Sequence, residues 1–332
     1  MKIVCDQYIP LLAETIHAGW PDVTIYPMKP EEIDATTLRD ADVLVVRTRT
    51  KVDAELLSGS SVRLVCTATI GFDHIDTAWC EAHGIRWTAC PGCNAQAVCD
   101  YVEEALEELS AFSQRSTLNT HPKTIGIVGV GHVGSLVAKM AARRGLNVLL
   151  NDPPKGIGVS LDEIAEKCDI ITFHTPLVMA SGRMDERRAD EWPTWHLCDE
   201  AFLKKTKKHA LIINAARGGV VDEQALTRSG RPFVLDTWEN EPHINAEVAQ
   251  AAQRASMHIA GYSFEGKRKA TQMCLDAIAE TFILPPLTTL NSQHSAVNTL
   301  GDSVPGWLER TTKLLQANPQ QFESLRKQYA LR

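Results

Sequence analysis

Residues 124–134 read TIGIVGVGHVG: an apolar strand-like run, then Gly129, Gly131 and Gly134 in GxGxxG spacing. Three glycines at that spacing are a weak signal alone, so the surroundings decide. After them, VGSLVAKMAARRG (133–145) places Val133, Leu136, Val137 and Met140 on one helical face and stops at Gly145. The next apolar run, NVLLND (147–152), ends at Asp152, 23 residues beyond Gly129. Strand, glycine loop, helix and strand ending in an acid make a mononucleotide-binding βαβ unit. The glycines let backbone approach a pyrophosphate at a helix N-terminus, where free N–H groups favour anions. A carboxylate at Asp152 accepts from ribose hydroxyls and repels a 2′-phosphate, which favours NAD over NADP.

The same alternation extends in both directions. Downstream lie DIITFHT (169–175), ALIINAAR (210–217), FVLDTWE (233–239) and MHIAG (257–261); upstream lie KIVCD (2–6), VTIYP (23–27), DVLVVRT (42–48), RLVCTAT (63–69) and RWTAC (86–90). Apolar strands separated by helical stretches imply parallel sheets covered on both faces. Between the two series a long helix is expected from Asn94 to Phe112. Val98, Val102, Ala105, Leu106, Leu109 and Phe112 line its apolar face, and Asn94 is a suitable N-cap. One unit thus spans roughly 1–95 and a second roughly 96–260, before an irregular stretch and a helical tail.

The 332 residues, net charge of −7 and 44% hydrophobic content suit an α/β protein and argue against a nucleic-acid partner, which needs a basic face. Apolar runs such as LVCTATIGF (64–72) are too short to span a membrane. The N-terminus, broken by Asp6, reads as a strand rather than a signal peptide. Nine scattered cysteines are the usage of a reducing compartment, so a cytoplasmic protein is expected. Cys90-Pro-Gly-Cys93 has no second pair at zinc-binding spacing and no thioredoxin-like context, so no metal is expected and the stretch reads as the crossing into the second unit.

Arg217, Glu241 and His258 stand at or near ends of expected strands in the second unit, the edge at which open α/β sheets bind ligands. An arginine fork can hold a carboxylate, and a histidine can take a hydroxyl proton. A glutamate on the other ring nitrogen would orient that imidazole and stabilise its charged form. Spacing alone leaves structural roles open: a satisfied histidine, an arginine anchoring its glycine loop, a glutamate capping a helix near Pro242.

The order GxGxxG, INAARGGVVDEQAL (213–226), DTWENEP (236–242) and a histidine before Gly261-Tyr262 resembles the D-isomer-specific 2-hydroxyacid dehydrogenases, over about residues 1–285. VVRTRTKV (45–52), TATIGFDHID (67–76), PGCNAQAV (91–98), NDPP (151–154), TFHTPL (172–177) and HIAGYSFEGK (258–267) are most similar to a branch acting on a phosphorylated four-carbon acid. PQQFESLRKQY (319–329) resembles that branch's C-terminal dimerisation domain.

The resemblance implies two Rossmann/flavodoxin-like, doubly wound parallel-sheet α/β domains with a small C-terminal dimerisation domain. Residues 1–95 plus about 260–285 would form the substrate domain, 96–259 the NAD-binding domain, and 286–332 a shortened dimerisation domain. It implies NAD-linked oxidation of a small phosphorylated 2-hydroxy acid by a homodimer, with Arg217, Glu241 and His258 catalytic. Cofactor contacts would fall on Gly129, Gly131, His132, Val133, Gly134, Asp152, Thr175, Ala215, Ala216, Arg217, Asp236 and Gly261. Substrate contacts would fall on Thr48, Thr69 and Tyr262, with Arg47 and Arg49 as candidate cations for the phosphate. A 3-phosphoglycerate-type dehydrogenase and an NAD-sensing, corepressor-like binding protein are the alternatives. Only six residues separate Leu226 from Phe233, fewer than that branch carries. The polar stretch ASGRMDERRADEWPTWH (180–196) is expected to be an insertion rather than a lid.

Overall fold

The structure is a computed structural model that describes residues 1–113, 123–179, 192–289 and 306–329. Most of the polar 180–196 stretch therefore lies outside the described residues. Chain contacts divide the molecule into two units, Met1–Asn94 with the described residues of 262–298, and Ala95–Gly261 with the described residues of 299–332.

The first unit holds a sheet of β1 (Lys2–Asp6), β2 (Thr24–Met28), β3 (Val43–Val46), β4 (Leu64–Thr67) and β5 (Arg86–Thr88) in the order β2-β1-β3-β4-β5. All pairs are parallel. This is the flavodoxin-like order, with its topological switch between β1 and β3. β3 and β4 are buried at every position, as their unbroken apolar sequences require. The helix Phe264–Phe282 brings later chain back to this unit. Ser263 caps it by accepting from the Gly266 N–H, and Ala270, Cys274, Leu275 and Ile278 enter one core cluster with Ile3, Cys5, Leu64 and Cys66. Cys90 and Cys93 are buried in that cluster, with Cys90 Sγ 3.8 Å from Cys274 Sγ.

The second unit holds β6 (Thr124–Val128), β7 (Asn147–Asp152), β8 (Ile157–Gly158), β9 (Ile170–Phe173), β10 (Leu211–Asn214), β11 (Phe233–Leu235) and β12 (Arg254–Ala255), ordered β12-β11-β10-β9-β6-β7-β8. Every pairing is parallel except β7 with β8, an antiparallel edge that departs from the all-parallel expectation. The order reverses between β6 and β9, so their carboxyl ends form the switch-point crevice of a Rossmann sheet. The expected long helix runs Ala95–Ser113, and the glycine-loop helix runs His132–Arg143 with Val137 and Met140 buried.

One expected strand is absent. MHIAG (257–261) forms no strand; the sheet ends at β12, and the His258 N–H still donates to the Asp236 carbonyl at 2.8 Å before the chain leaves with φ of 56° at His258. The cause is local: the Asp236 carboxylate captures the N–H groups of Ile259 and Ala260 that a further strand would need. The described tail, with helices Trp307–Ala317 and Phe322–Gln328, belongs to the second unit. Glu108 Oε1 accepts from the Leu308 N–H and so caps the first of them. Among the described residues no helix is long and apolar enough to cross a membrane.

Candidate active site

The glycine loop follows β6 at the switch point, and its three glycines meet different surroundings. Gly129 has φ of 89°, and a Cβ there would stand 2.7 Å from the His174 carbonyl oxygen after β9. At Gly134 a Cβ would fall 1.9 Å from the Gly129 carbonyl oxygen, so helix and loop touch backbone to backbone. Gly131 differs, since a Cβ there would meet no protein atom within 4 Å. These are a turn glycine, a glycine facing open space, and a helix-packing glycine, the division a bound pyrophosphate requires. Thr175 lies after β9, its hydroxyl buried without a partner among the described residues. His132 is exposed and Val133 half-buried in the first turn of the helix.

Asp152 ends β7, is largely buried, and accepts from the Val130 N–H through Oδ2 at 2.9 Å. Lys155 Nζ stands 3.3 Å from the same oxygen. The open face at Gly131, the orphaned Thr175 hydroxyl and the strand-end carboxylate fit a dinucleotide with free ribose hydroxyls. His174, half-buried, is pushed down to about 3 by desolvation, its Nε2 3.0 Å from Thr172 Oγ1.

On the other side of the second sheet's switch point, His258 Nδ1 is 2.8 Å from Glu241 Oε2. Glu241 begins no helix; its Oε1 accepts from the Trp238 N–H, and the nearby helix starts at Ala246 with Asn245 as its cap. A carboxylate at Nδ1 fixes the tautomer with the proton on Nδ1 and leaves the Nε2 lone pair free. Asp236, 1% exposed, holds the His258 loop: Oδ1 accepts from Ser256 Oγ and the Ile259 N–H, and Oδ2 from the Ala260 N–H. Both of its oxygens thus serve to hold the loop that carries the imidazole. The chain of bonds continues from Ser256 to the buried hydroxyl of Tyr101 at 2.8 Å.

Arg217 follows β10 and is exposed, with one guanidinium nitrogen donating to the Ala216 carbonyl. Ala215 is buried, while Ala216 and Gly261 are half-buried. A Cβ on Gly218 would lie 1.8 Å from the Trp238 carbonyl oxygen, so the Arg217 loop lies directly on the turn that carries Glu241.

A second acidic group adjoins that turn. Glu223, 4% exposed, accepts from the Glu239 N–H at 2.6 Å, and Glu239 Oε1 is 2.9 Å from His196 Nε2. Desolvation, then the neighbouring carboxylates, push Glu223 up to about 8. None of these three residues carries a spacing signal, and sequence reasoning missed them. Tyr101 and Ser256 were missed for the same reason, standing 155 positions apart.

In the first unit the expected substrate residues follow the carboxyl ends of β3 and β4. Arg47 is engaged by the buried Asp6, with Nε to Oδ2 at 2.8 Å and a second bond at 3.3 Å. Thr48 and Arg49 are exposed, and Arg49 has no ion pair with a described residue. Thr69 Oγ1 bonds Thr67 Oγ1 and the Gly71 carbonyl, and Tyr262 has Lys267 Nζ 4.2 Å from its ring centre. Arg49 is thus the uncommitted cation of the pair. Among the described residues no three His, Cys, Asp or Glu side chains are grouped to hold a metal.

Residues 101–260 match the family model described as D-isomer specific 2-hydroxyacid dehydrogenase, NAD binding domain. The chain is 39% identical over 350 residues to the erythronate-4-phosphate dehydrogenase of Bacteroides fragilis, covering 100% of this chain and 97% of that protein. To the enzyme of the same name from Pseudomonas syringae pv. tomato it is 38% identical, covering 96% and 80%. The NAD-complexed D-isomer specific 2-hydroxyacid dehydrogenase of Lactobacillus delbrueckii ssp. bulgaricus superposes with a TM-score of 0.66 at 22% identity, over 88% of this chain and 100% of that one.

Proposed function

Because the chain belongs to the erythronate-4-phosphate dehydrogenases, a branch of the D-isomer specific 2-hydroxyacid dehydrogenases, we propose that it oxidises 4-phospho-D-erythronate to 2-oxo-3-hydroxy-4-phosphobutanoate with NAD, a step toward pyridoxal 5′-phosphate. The observation that carries the chemistry is the 2.8 Å His258–Glu241 bond, in the same unit as a glycine loop that suits a dinucleotide. The glycine loop, Asp152 and Thr175 would hold NAD, which would supply the hydride acceptor.

His258 Nε2 takes the proton from the substrate's 2-hydroxyl, and Glu241 stabilises the resulting imidazolium through Nδ1–H. Arg217 keeps guanidinium donors beyond the one given to Ala216, enough to grip the substrate carboxylate and the oxygen that becomes a carbonyl. Arg49, with Thr48, Thr69 and Tyr262, is assigned to the phosphorylated end. Arg47 is ranked below Arg49 because Asp6 already neutralises it. The homodimer assigned to the C-terminal tail rests on resemblance alone, and a cytoplasmic location is supported by nine free, buried thiols.

NADH fluorescence on adding 4-phospho-D-erythronate, 3-phosphoglycerate or glycerate, with a 2-keto acid as electron acceptor, tests the assignment. Turnover on the four-carbon phosphate alone is expected. Turnover on another acid instead would overturn the substrate, and NADH binding without any turnover would favour a sensing role. His258→Asn should lower turnover by roughly 10²- to 10⁴-fold.

A further inference from the structure

Glu239 and Glu241 leave one turn for different partners. Glu241 serves His258, whereas Glu239 meets His196 Nε2 at 2.9 Å and pairs reciprocally with Glu223. The Glu239 N–H donates to Glu223 Oε1 at 2.6 Å, and the Glu223 N–H reaches Glu239 Oε1 at 3.4 Å. The turn is thereby tied to the first residue of the helix Glu223–Ser229. His196 is held in turn by its N–H bond to the Gly219 carbonyl and by stacking on Trp195, ring centres 4.3 Å apart. With Gly218 lying against the Trp238 carbonyl, a shift of this turn would move the Arg217 loop and Glu241 together.

We propose that Glu223, Glu239 and His196 form a positioning cluster that holds the turn in register for the His258–Glu241 pair. The inference rests on the catalytic assignment above. The charged groups facing Glu223 are Glu239, Glu241 and Asp222, all carboxylates, and the imidazole of His196 touches Glu239. Burial among them pushes Glu223 up to about 8. Ionisation would add a negative charge among these carboxylates, where burial and their repulsion outweigh the one bond that favours it, from the Glu239 N–H.

The sign for stability follows from the raised value. Between its ordinary range and about 8, folded Glu223 holds a proton that the unfolded chain has released. Stability therefore falls as pH rises through that window and is level above it. A glutamine at this position keeps the shape of the neutral form and removes the dependence.

The test compares the parent enzyme with Glu223→Gln and Glu239→Gln, reading kcat and KM against pH, NADH affinity and Tm against pH. For the parent, kcat should decline above about pH 8. Glu223→Gln should lack that decline and gain Tm relative to the parent between about pH 5 and about pH 8. Glu239→Gln should lower kcat by about 10- to 100-fold, with KM and NADH affinity within about twofold. An unchanged decline and a pH-independent Tm difference in Glu223→Gln, or normal kcat in Glu239→Gln, would overturn the cluster. If His258→Asn also turned over normally, the catalytic assignment itself would fail; its inactivity beside two parent-like glutamine variants would discard the cluster alone.

Discussion

A methyl group on Gly134 would lie 1.9 Å from the Gly129 carbonyl oxygen, whereas one on Gly131 would meet no protein atom within 4 Å. The two alanine substitutions should therefore fail differently. Gly134→Ala forces backbone from backbone and should destabilise the second unit by about 1–3 kcal/mol, the usual cost of overpacking. Gly131→Ala should melt like the parent yet bind NADH poorly, because its methyl group occupies the space a pyrophosphate needs. Thermal melts beside NADH titrations check both, and normal NADH affinity in Gly131→Ala would remove the loop from the cofactor site. At this scale the sequence was legible where spacing carries chemistry, as in the glycines, Asp152 and the acid–histidine order of the last motifs. It was silent on Glu223, whose partner is a backbone N–H 16 positions away, and it offered Arg47 as a phosphate cation without showing the pairing with Asp6, 41 positions back.

Elements were legible to the extent that the apolar pattern alone decided them. The buried runs of β3, β4 and β9 could be little else. MHIAG has the same apolar character but is a loop, because a carboxylate on β11's extension outcompetes strand pairing for its N–H groups. The short β8 was missed because two residues carry no period. The Asp236 anchor gives an element-scale prediction. Asp236→Ala strips the acceptor from the buried N–H groups of Ile259 and Ala260, at about 1–3 kcal/mol apiece, and leaves the Ser256 hydroxyl only its Tyr101 partner. Urea unfolding should show a loss of at least about 2 kcal/mol. Turnover should drop toward that of His258→Asn, since the same loop carries the imidazole. Parent-like stability and turnover would show that the loop holds its shape without the carboxylate.

For the molecule as a whole, the alternation of strands and helices announced two α/β units and the resemblance returned about 260–285 to the first, but the tail's place in the second was hidden in long-range contacts. Glu108 caps a helix that begins at Trp307, and Thr312 Oγ1 accepts from the Ala255 N–H. Tail and second unit meet through polar groups that no periodicity reveals. Cysteine placement shows the same division: their number suggested apolar filler, and only the fold shows all nine to be free and buried. Burial raises the thiols of Cys93 and Cys99 to about 11, those of Cys5 and Cys168 to about 12, and that of Cys198 further, while bonding to a neighbouring thiol and then burial raise Cys90 and Cys274. Since the thiolate is the attacking species, an aromatic disulfide reagent at about pH 8 should find almost no reactive thiol in the native protein and all nine after denaturation. Cys90 is the most instructive of them, because its Sγ sits between the Thr67 and Ala270 carbonyls as well as beside Cys274. It joins β4's end to the returning helix by packing and weak S–H bonds. Cys90→Ser should therefore leave kcat within about twofold while lowering Tm, whereas a loss of turnover at unchanged Tm would reopen a chemical role for the CPGC stretch.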